Sequence, residues 1–304
     1  MQTRLFIRLF QYLVVSLIPI LFATAAYSDS REITNADGDC CCCQAPPQFL
    51  LKARELDASG RWHEAVEILT AKIAKAPYTW PSAVSAGWTD AWQAYHLLGD
   101  ILLREEPEKA EGYLYSGIAK AIEEDYAGAE SSFTKGAVLD PKSADLQFAI
   151  GWAVIRQDRA GDSFKKKPES IRRALPHFEA ALKIYSTHKM SLLTAGYANT
   201  QLAESINSQK GHTPASKKEI TPYLEQAIYY FEEYVKSYGE NVRLLTDLYD
   251  LCAQTGKWDR AAGYLNEAIK LSRENSGTRK YLEFHLRHLK SREAEELKRS
   301  NGIG

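Results

Sequence analysis

Apolar residues recur along most of the chain at the three- and four-residue spacing of one helix face. In one stretch after another, a small alanine is followed four positions later by a large apolar residue. This spacing places both side chains on one stripe of an α-helix. The long stretches rich in Ala, Leu, Glu and Lys favour helix, and few segments look like strands. The pattern therefore predicts an all-α protein.

The helices are predicted to come in pairs, because each alanine stripe follows another helix that carries its own small residue. The stripes of the second helices are Ala65/Leu69, Ala129/Phe133, Ala174/Phe178, Ala227/Phe231 and Ala261/Leu265. The small residues of the first helices are Ala53, Gly117, Gly151 and Gly196. Gly117 and Gly151 lie about 34 residues apart, as do Ala227 and Ala261.

These residues resemble the tetratricopeptide repeat, a helix–turn–helix unit of about 34 residues. The match is most complete from Gly112 to Pro141, and the resemblance covers roughly residues 46 to 300 with gaps. It implies a right-handed α-solenoid in which the small residue of one helix admits the large side chain of the next. We therefore expect a repeat domain over residues 49–300.

The repeats are irregular, because most intervals between the alanine stripes exceed one repeat length. Residues 156–167 and 207–219 are rich in Lys, Ser and Gly and predict exposed loops. A further helix is predicted from Thr89 to Arg104, without a settled partner. The last pair has Tyr249 where a small residue is expected. After Gly277, a helix with one apolar stripe suits a solenoid cap.

The resemblance also implies a ligand groove on the first helices. The groove positions beside the small residues hold Tyr115, Ile118, Trp152 and Tyr197, so the predicted groove is aromatic. The alternative is that these rings are core residues, since periodicity alone does not separate the two faces. The Lys and Asn residues with which some members of the family grip a C-terminal carboxylate do not occur at these positions.

Residues 1–26 have the layout of a secretory signal peptide. Two arginines precede an apolar run that is densest from Leu13 to Phe22, and small residues follow at the spacing that signal peptidase prefers. We expect cleavage after Ala25 or Ala26 and a mature protein that is exported to a periplasm, a secretory lumen or the outside of the cell. It would then keep no membrane span, since the run is shorter than a spanning helix needs. The alternative is a membrane anchor formed by an uncleaved N-terminal segment.

Residues 27–48 show no helical periodicity and are predicted to form a disordered leader. They contain the consecutive residues Cys40, Cys41, Cys42 and Cys43. Neighbouring cysteines do not easily pair with one another, because a disulfide needs particular Cα distances and side-chain directions. The first interpretation is therefore a disulfide-linked oligomer or no role, and the alternative is a metal- or thiol-handling protein that uses this cluster.

The charge balance excludes two classes of partner. Lys and Arg total 38 and Asp and Glu total 39, so no excess of positive charge attracts nucleic acid or an anionic membrane. The sequence contains no Gly-rich phosphate loop, nucleophile elbow or zinc-protease helix motif. His285 and His288 share one side of the last helix and are expected to be solvated.

We therefore expect a scaffold or adaptor without catalysis or a cofactor, which binds a peptide or helix of an envelope or secreted protein. The alternatives are the cysteine-based role and an enzyme whose site is assembled from distant residues. Such an enzyme would need a cleft that contains a strongly perturbed carboxylate or histidine.

Overall fold

The computed structural model describes residues 47–74, 89–157, 168–211, 213–274 and 276–300, with the side chains of 89–91 and 290–300 left aside. The helices in these ranges are α1 (Gln48–Ala58), α2 (Trp62–Ala74), α3 (Thr89–Glu105), α4 (Ala110–Ile122), α5 (Tyr126–Leu139), α6 (Ala144–Gln157), α7 (Pro168–Ile184), α8 (Lys189–Lys210), α9 (Pro214–Tyr238), α10 (Val242–Gln254), α11 (Trp258–Leu271) and α12 (Gly277–Ser300). The described residues contain no strand, which confirms the prediction of an all-α fold. The signal segment and Cys40 to Cys43 lie outside the described residues.

The helices group into two compact units, and the boundary between them lies within α3, after Ala94. In the first unit, α1 packs against α2. The predicted small residue Ala53 and its predicted partner Leu69 are both fully buried there, together with Ala65.

In the second unit, which begins at Tyr95, the helices pack in consecutive pairs. The pairs are α4 with α5, α6 with α7, α8 with α9, and α10 with α11. Each pair also packs against the next one, and α12 packs against α11. This consecutive packing is that of a helical-repeat stack, in which each repeat buries its apolar faces against its neighbours.

Helix α3 was predicted without a partner, and the structure places its second half against α4. Tyr95, Leu98 and Ile101, which share one face of this helix, are buried. A side chain at Gly99 would bring its Cβ atom to 2.8 Å from the backbone nitrogen of Ser116 in α4. The helix therefore lies tightly against the first complete pair of the second unit.

The prediction of an exposed loop over residues 207–219 is wrong. The extra residues extend α8 to Lys210 and begin α9 at Pro214. Gly211 has a φ of 68°, which turns the chain sharply. Thr213 then caps α9 by accepting a hydrogen bond from the backbone N–H of Ser216, and proline suits the first position of a helix. Of the other predicted loop, residues 156–167, the first two belong to α6, and residues 158–167 lie outside the described residues.

The cap at the C-terminal end has the predicted apolar stripe. Leu282 and Leu289 of α12 are buried, and Leu286 is half-buried. The hydroxyl of Tyr249 in α10 lies 3.1 Å from Nδ1 of His285 in α12. Tyr249, which occupies a position where a small residue is expected, therefore contacts the capping helix. His285 was predicted to be solvated, but it is half-buried.

Candidate functional site

The first helices of the pairs in the second unit, α4, α6, α8 and α10, carry the predicted groove residues. We call the surface that these helices share the first-helix face. Tyr115, Trp152 and Tyr197 are half-buried on it, whereas Ile118 is 3% exposed and belongs to the core. Ile118 is therefore not accessible to a ligand, and the aromatic residues remain as candidates.

The rings of Tyr197 and Trp152 are held in place by neighbouring side chains. The Tyr197 ring meets Phe231 edge-on at 4.9 Å between centroids, and the Trp152 ring meets Tyr126 edge-on at 5.9 Å. The Arg156 guanidinium lies 4.9 Å from the centroid of Trp152. Such edge-to-face contacts fix the orientation of a ring while part of its surface stays accessible.

Tyr197 also links two successive first helices. Its hydroxyl donates a hydrogen bond of 2.9 Å to Oδ2 of Asp247 in α10. The Arg243 guanidinium lies 5.8 Å from the centroid of the Tyr197 ring. Burial, followed by the charge of Asp247, raises the pKa of Tyr197, so the phenol stays protonated and donates.

Three carboxylates lie at or near this link, and no sequence motif points to any of them. Asp247 and Asp250 share one face of α10 at a spacing of one turn, and Glu204 lies two turns after Tyr197 in α8. Burial, followed by the charge of Asp247, raises the pKa of Glu204 and raises that of Asp250 to about 7. Helical spacing could indicate which of these carboxylates share a face of one helix. It could not bring Glu204 together with the two aspartates, because α8 and α10 are separate in the chain.

A carboxyl group with a pKa near neutrality is suited to general acid–base catalysis if a reactive group lies beside it. Burial, followed by the negative charge of Asp250, raises the pKa of Tyr281 in α12. A raised pKa leaves the phenol a weak nucleophile. Asp250 and Tyr281 therefore do not form a base and an activated nucleophile.

A second arrangement resembles a catalytic triad. Nδ1 of His188 lies 2.7 Å from Oγ of Ser191, and Nε2 lies 3.0 Å from Oδ1 of Asp145. Ser191 is fully buried, however, and Nδ1 of His188 also accepts from the backbone N–H of Ser191. His188 thus caps the N-terminus of α8 and joins it to α6, and no substrate reaches the serine hydroxyl.

The described residues offer no other obvious chemistry. No group of three or more His, Cys, Asp or Glu among them is arranged to hold a metal ion. Cys252 is buried, and burial raises the pKa of its thiol to about 11. None of the helices in the described part of the chain combines the length and the hydropathy that a membrane crossing requires.

The contacts between paired helices show how each repeat is packed. A Cβ atom added to Gly151 in α6 would lie 2.7 Å from the Phe178 ring in α7. Gly117 and Gly196 meet the rings of Phe133 and Phe231 even more closely. The three pairs are those that the sequence predicted, with the small residue of the first helix facing the large residue of the second.

The fold is an α-solenoid of helix–turn–helix repeats that resemble tetratricopeptide repeats.

Three solved structures are similar to this chain. MamA (residues 41 to the end) from Desulfovibrio magneticus RS-1 is 17% identical, with 76% of this chain and 100% of that chain covered and a TM-score of 0.42. PilF from Pseudomonas aeruginosa is 13% identical, with coverages of 78% and 96% and a TM-score of 0.45. YrrB, described as a tetratricopeptide protein with an unusual peptide-binding site, is 14% identical, with coverages of 80% and 92% and a TM-score of 0.38.

No family model and no curated protein matches the chain. The resemblance lies in the packing of glycine against phenylalanine within each repeat.

Proposed function

We propose that this protein is an interaction scaffold or adaptor that binds a peptide or a helix of another protein on the first-helix face. The observation that carries the proposal is the series of half-buried aromatic side chains on three successive first helices, Tyr115, Trp152 and Tyr197. A binding protein needs accessible apolar area at defined positions, and aromatic side chains supply it with few rotatable bonds.

The packing of these rings supports a role in binding. Trp152 and Tyr197 each rest edge-on against a ring of a second helix, so their orientation is fixed before a ligand arrives. A surface that is already ordered loses less conformational entropy when it binds. The contacts that hold the rings in place therefore also favour affinity.

We propose further that the partner belongs to an envelope or secretory compartment. The support is the layout of residues 1–26, which is that of a signal peptide. N-terminal sequencing of the protein isolated from its host should begin after Ala25 or Ala26. A sequence that begins at Met1 would overturn the proposed export by cleavage.

The binding proposal is tested with paired alanine variants of the full chain. Trp152→Ala combined with Tyr197→Ala should abolish recovery of the cross-linked partner from the native host, while circular dichroism remains helical. The control is Tyr229→Ala, which removes a tyrosine side chain that is 54% exposed on the second helix α9. Unchanged recovery with the double variant, or an equal loss with the control, would exclude the first-helix face.

A further inference from the structure

The capping helix α12 carries a second row of side chains beside the leucines that pack it onto the stack. Tyr281 is 37% exposed, Phe284 is 48% exposed, and His288 is also exposed. Their spacing of three and four residues places them on one side of the helix. We call these three residues, together with the half-buried His285 between them, the α12 aromatic stripe.

Ring contacts hold the side chains of this stripe in place. The ring centroids of Tyr281 and His285 lie 4.2 Å apart, as do those of Phe284 and His288. His285 is fixed in turn, because its Nδ1 atom lies 3.1 Å from the hydroxyl of Tyr249 in α10. Side chains that are already ordered lose less conformational entropy on binding, so the stripe is suited to a specific contact.

The stripe lies at the end of the repeat stack. Helix α12 packs along α11, and no helix follows it in the described part of the chain. Within the stack, each pair of helices buries its apolar sides against the next pair. The α12 aromatic stripe is therefore the kind of side that a further helix covers elsewhere in the stack.

Cations flank the stripe on the edge away from the buried leucines. Lys280 and Arg287 are both exposed and lie two turns apart on this edge of α12. Neither side chain forms an ion pair with another described side chain, whereas Arg279 is paired with Glu283 across 3.0 Å. The whole chain has a formal net charge of -1, so this positive edge is a local feature that attracts carboxylates.

The apolar stripe and its positive edge together define the kind of partner. A straight stripe over two turns matches the apolar side of a second helix, which packs along it as α11 packs on the leucines. Acidic residues beside that apolar side would meet Lys280 and Arg287. Anionic lipid fits less well, because it binds clusters of about four to eight cations, and Lys280 and Arg287 are only a pair.

We infer that the α12 aromatic stripe docks an amphipathic helix of a partner protein that carries acidic residues along one edge of its apolar side. The apolar residues of the partner helix cover Phe284 and Tyr281, and its carboxylates pair with Lys280 and Arg287. This inference goes beyond the proposed function and does not depend on it, since α4, α6, α8 and α10 form the first-helix face.

The charged half of the contact is tested with a fluorescently labelled helical peptide of leucine and glutamate, whose binding to the full chain is followed by anisotropy. The variant is Lys280→Glu combined with Arg287→Glu. The matched control is Lys135→Glu combined with Lys218→Glu, at exposed positions on α5 and α9. We expect the peptide to bind about tenfold more weakly to the variant, and within about twofold of the parent affinity to the control. A peptide with lysine in place of every glutamate should instead bind the variant more tightly than the parent.

The apolar half of the contact is tested with Phe284→Ser. Because nearly half of this side chain is exposed, circular dichroism should remain helical, and the glutamate peptide should bind about fivefold more weakly. The control is Val138→Ser, which removes an apolar side chain that is 73% exposed on α5. It should leave the affinity within about twofold of that of the parent.

Equal weakening by the two charge variants would show that only net charge matters, and it would overturn the inference. Unchanged binding after the α12 charge reversal, or after Phe284→Ser, would overturn it as well. Dimerisation of the parent chain in sedimentation equilibrium, if Phe284→Ser abolished it, would assign the stripe to a second copy instead. Co-sedimentation with phosphatidylglycerol vesicles that is lost in the same variant would assign the stripe to a membrane.

Discussion

The hydroxyl of Tyr197 in α8 donates a hydrogen bond to Asp247 in α10 across 2.9 Å, and this bond joins two successive repeats at their first helices. The same Tyr197 ring packs against Phe231 in its own pair. One residue therefore contributes both to the packing within a repeat and to the contact between repeats.

Replacement of Tyr197 by phenylalanine tests the second of these contacts alone. The ring contact with Phe231 is kept, and only the hydrogen bond to Asp247 is lost. We expect the free energy of unfolding to fall by about 1 kcal/mol, because the acceptor is charged but partly solvated. The measurement is urea denaturation at neutral pH, and an increase in stability would contradict the assigned role of the bond.

Replacement of Gly196 by alanine tests the packing that defines the repeats. The new Cβ atom would overlap the Phe231 ring, so the two helices must move apart. We expect a loss of about 1–3 kcal/mol in the free energy of unfolding. Gly263→Ala in α11 is the matched control, since nothing lies within 4 Å of the added atom. The control should be neutral or more stable by up to about 1 kcal/mol, because alanine favours helix over glycine.

If both glycine variants behave alike, the tight approach of glycine to phenylalanine does not hold the pair together. A second replacement, Phe231→Leu, provides a further check on Gly196→Ala. It frees space beside the new Cβ atom, so the two changes should cost less together than the sum of their separate costs.

These glycine and phenylalanine contacts are the part of the fold that the sequence predicts best. Gly117, Gly151 and Gly196 each meet the phenylalanine that the repeat spacing assigns to them. Helical periodicity fixes such contacts, because the small and the large residue must lie on facing stripes.

The site was less predictable than the packing. Ile118 occupies a groove position by its spacing and is buried in the structure. Glu204 and Asp250 look like ordinary surface residues, since the environment of a carboxylate depends on helices distant in the chain. The turn from Gly211 to Thr213 replaces the predicted loop, because capping let both helices extend through a polar stretch.

The pH dependence of stability should reveal the environment of Asp250. Its pKa of about 7 in the folded protein lies above the usual aspartate value of 3.8, so the folded state binds the proton more tightly than the unfolded state. Ionisation of Asp250 therefore costs stability, and the cost appears as the pH rises from about 4 to above 7.

Asp250→Asn removes that cost. The variant should have a higher melting temperature than the parent at pH 8, and the difference should shrink towards pH 5. We expect a gain of no more than about 1 kcal/mol at pH 8, because the side chain is partly exposed and solvent screens it. Asp259→Asn serves as the control for the loss of one negative charge. A gain that is the same at both pH values would contradict the assigned pKa.

The contact between His188 and Asp145 is predicted to be structural. His188→Ala should destabilise the protein by about 1–2 kcal/mol, because α8 loses its N-terminal cap and its link to α6. His188→Asn should retain much of that stability, since asparagine is a favourable cap. A serine-directed fluorophosphonate should leave Ser191 unmodified, as measured by mass spectrometry. Modification of Ser191 in the folded protein would instead support a catalytic role.

Site-specific photo-cross-linking in the native host tests the central claim most directly. A photoreactive amino acid is placed at Tyr115 on the first-helix face, or at Tyr229 on the second helix α9 as the control. We predict a covalent adduct with one partner protein from position 115, and none from position 229. An adduct from position 229 alone would contradict the claim that the first-helix face binds the partner.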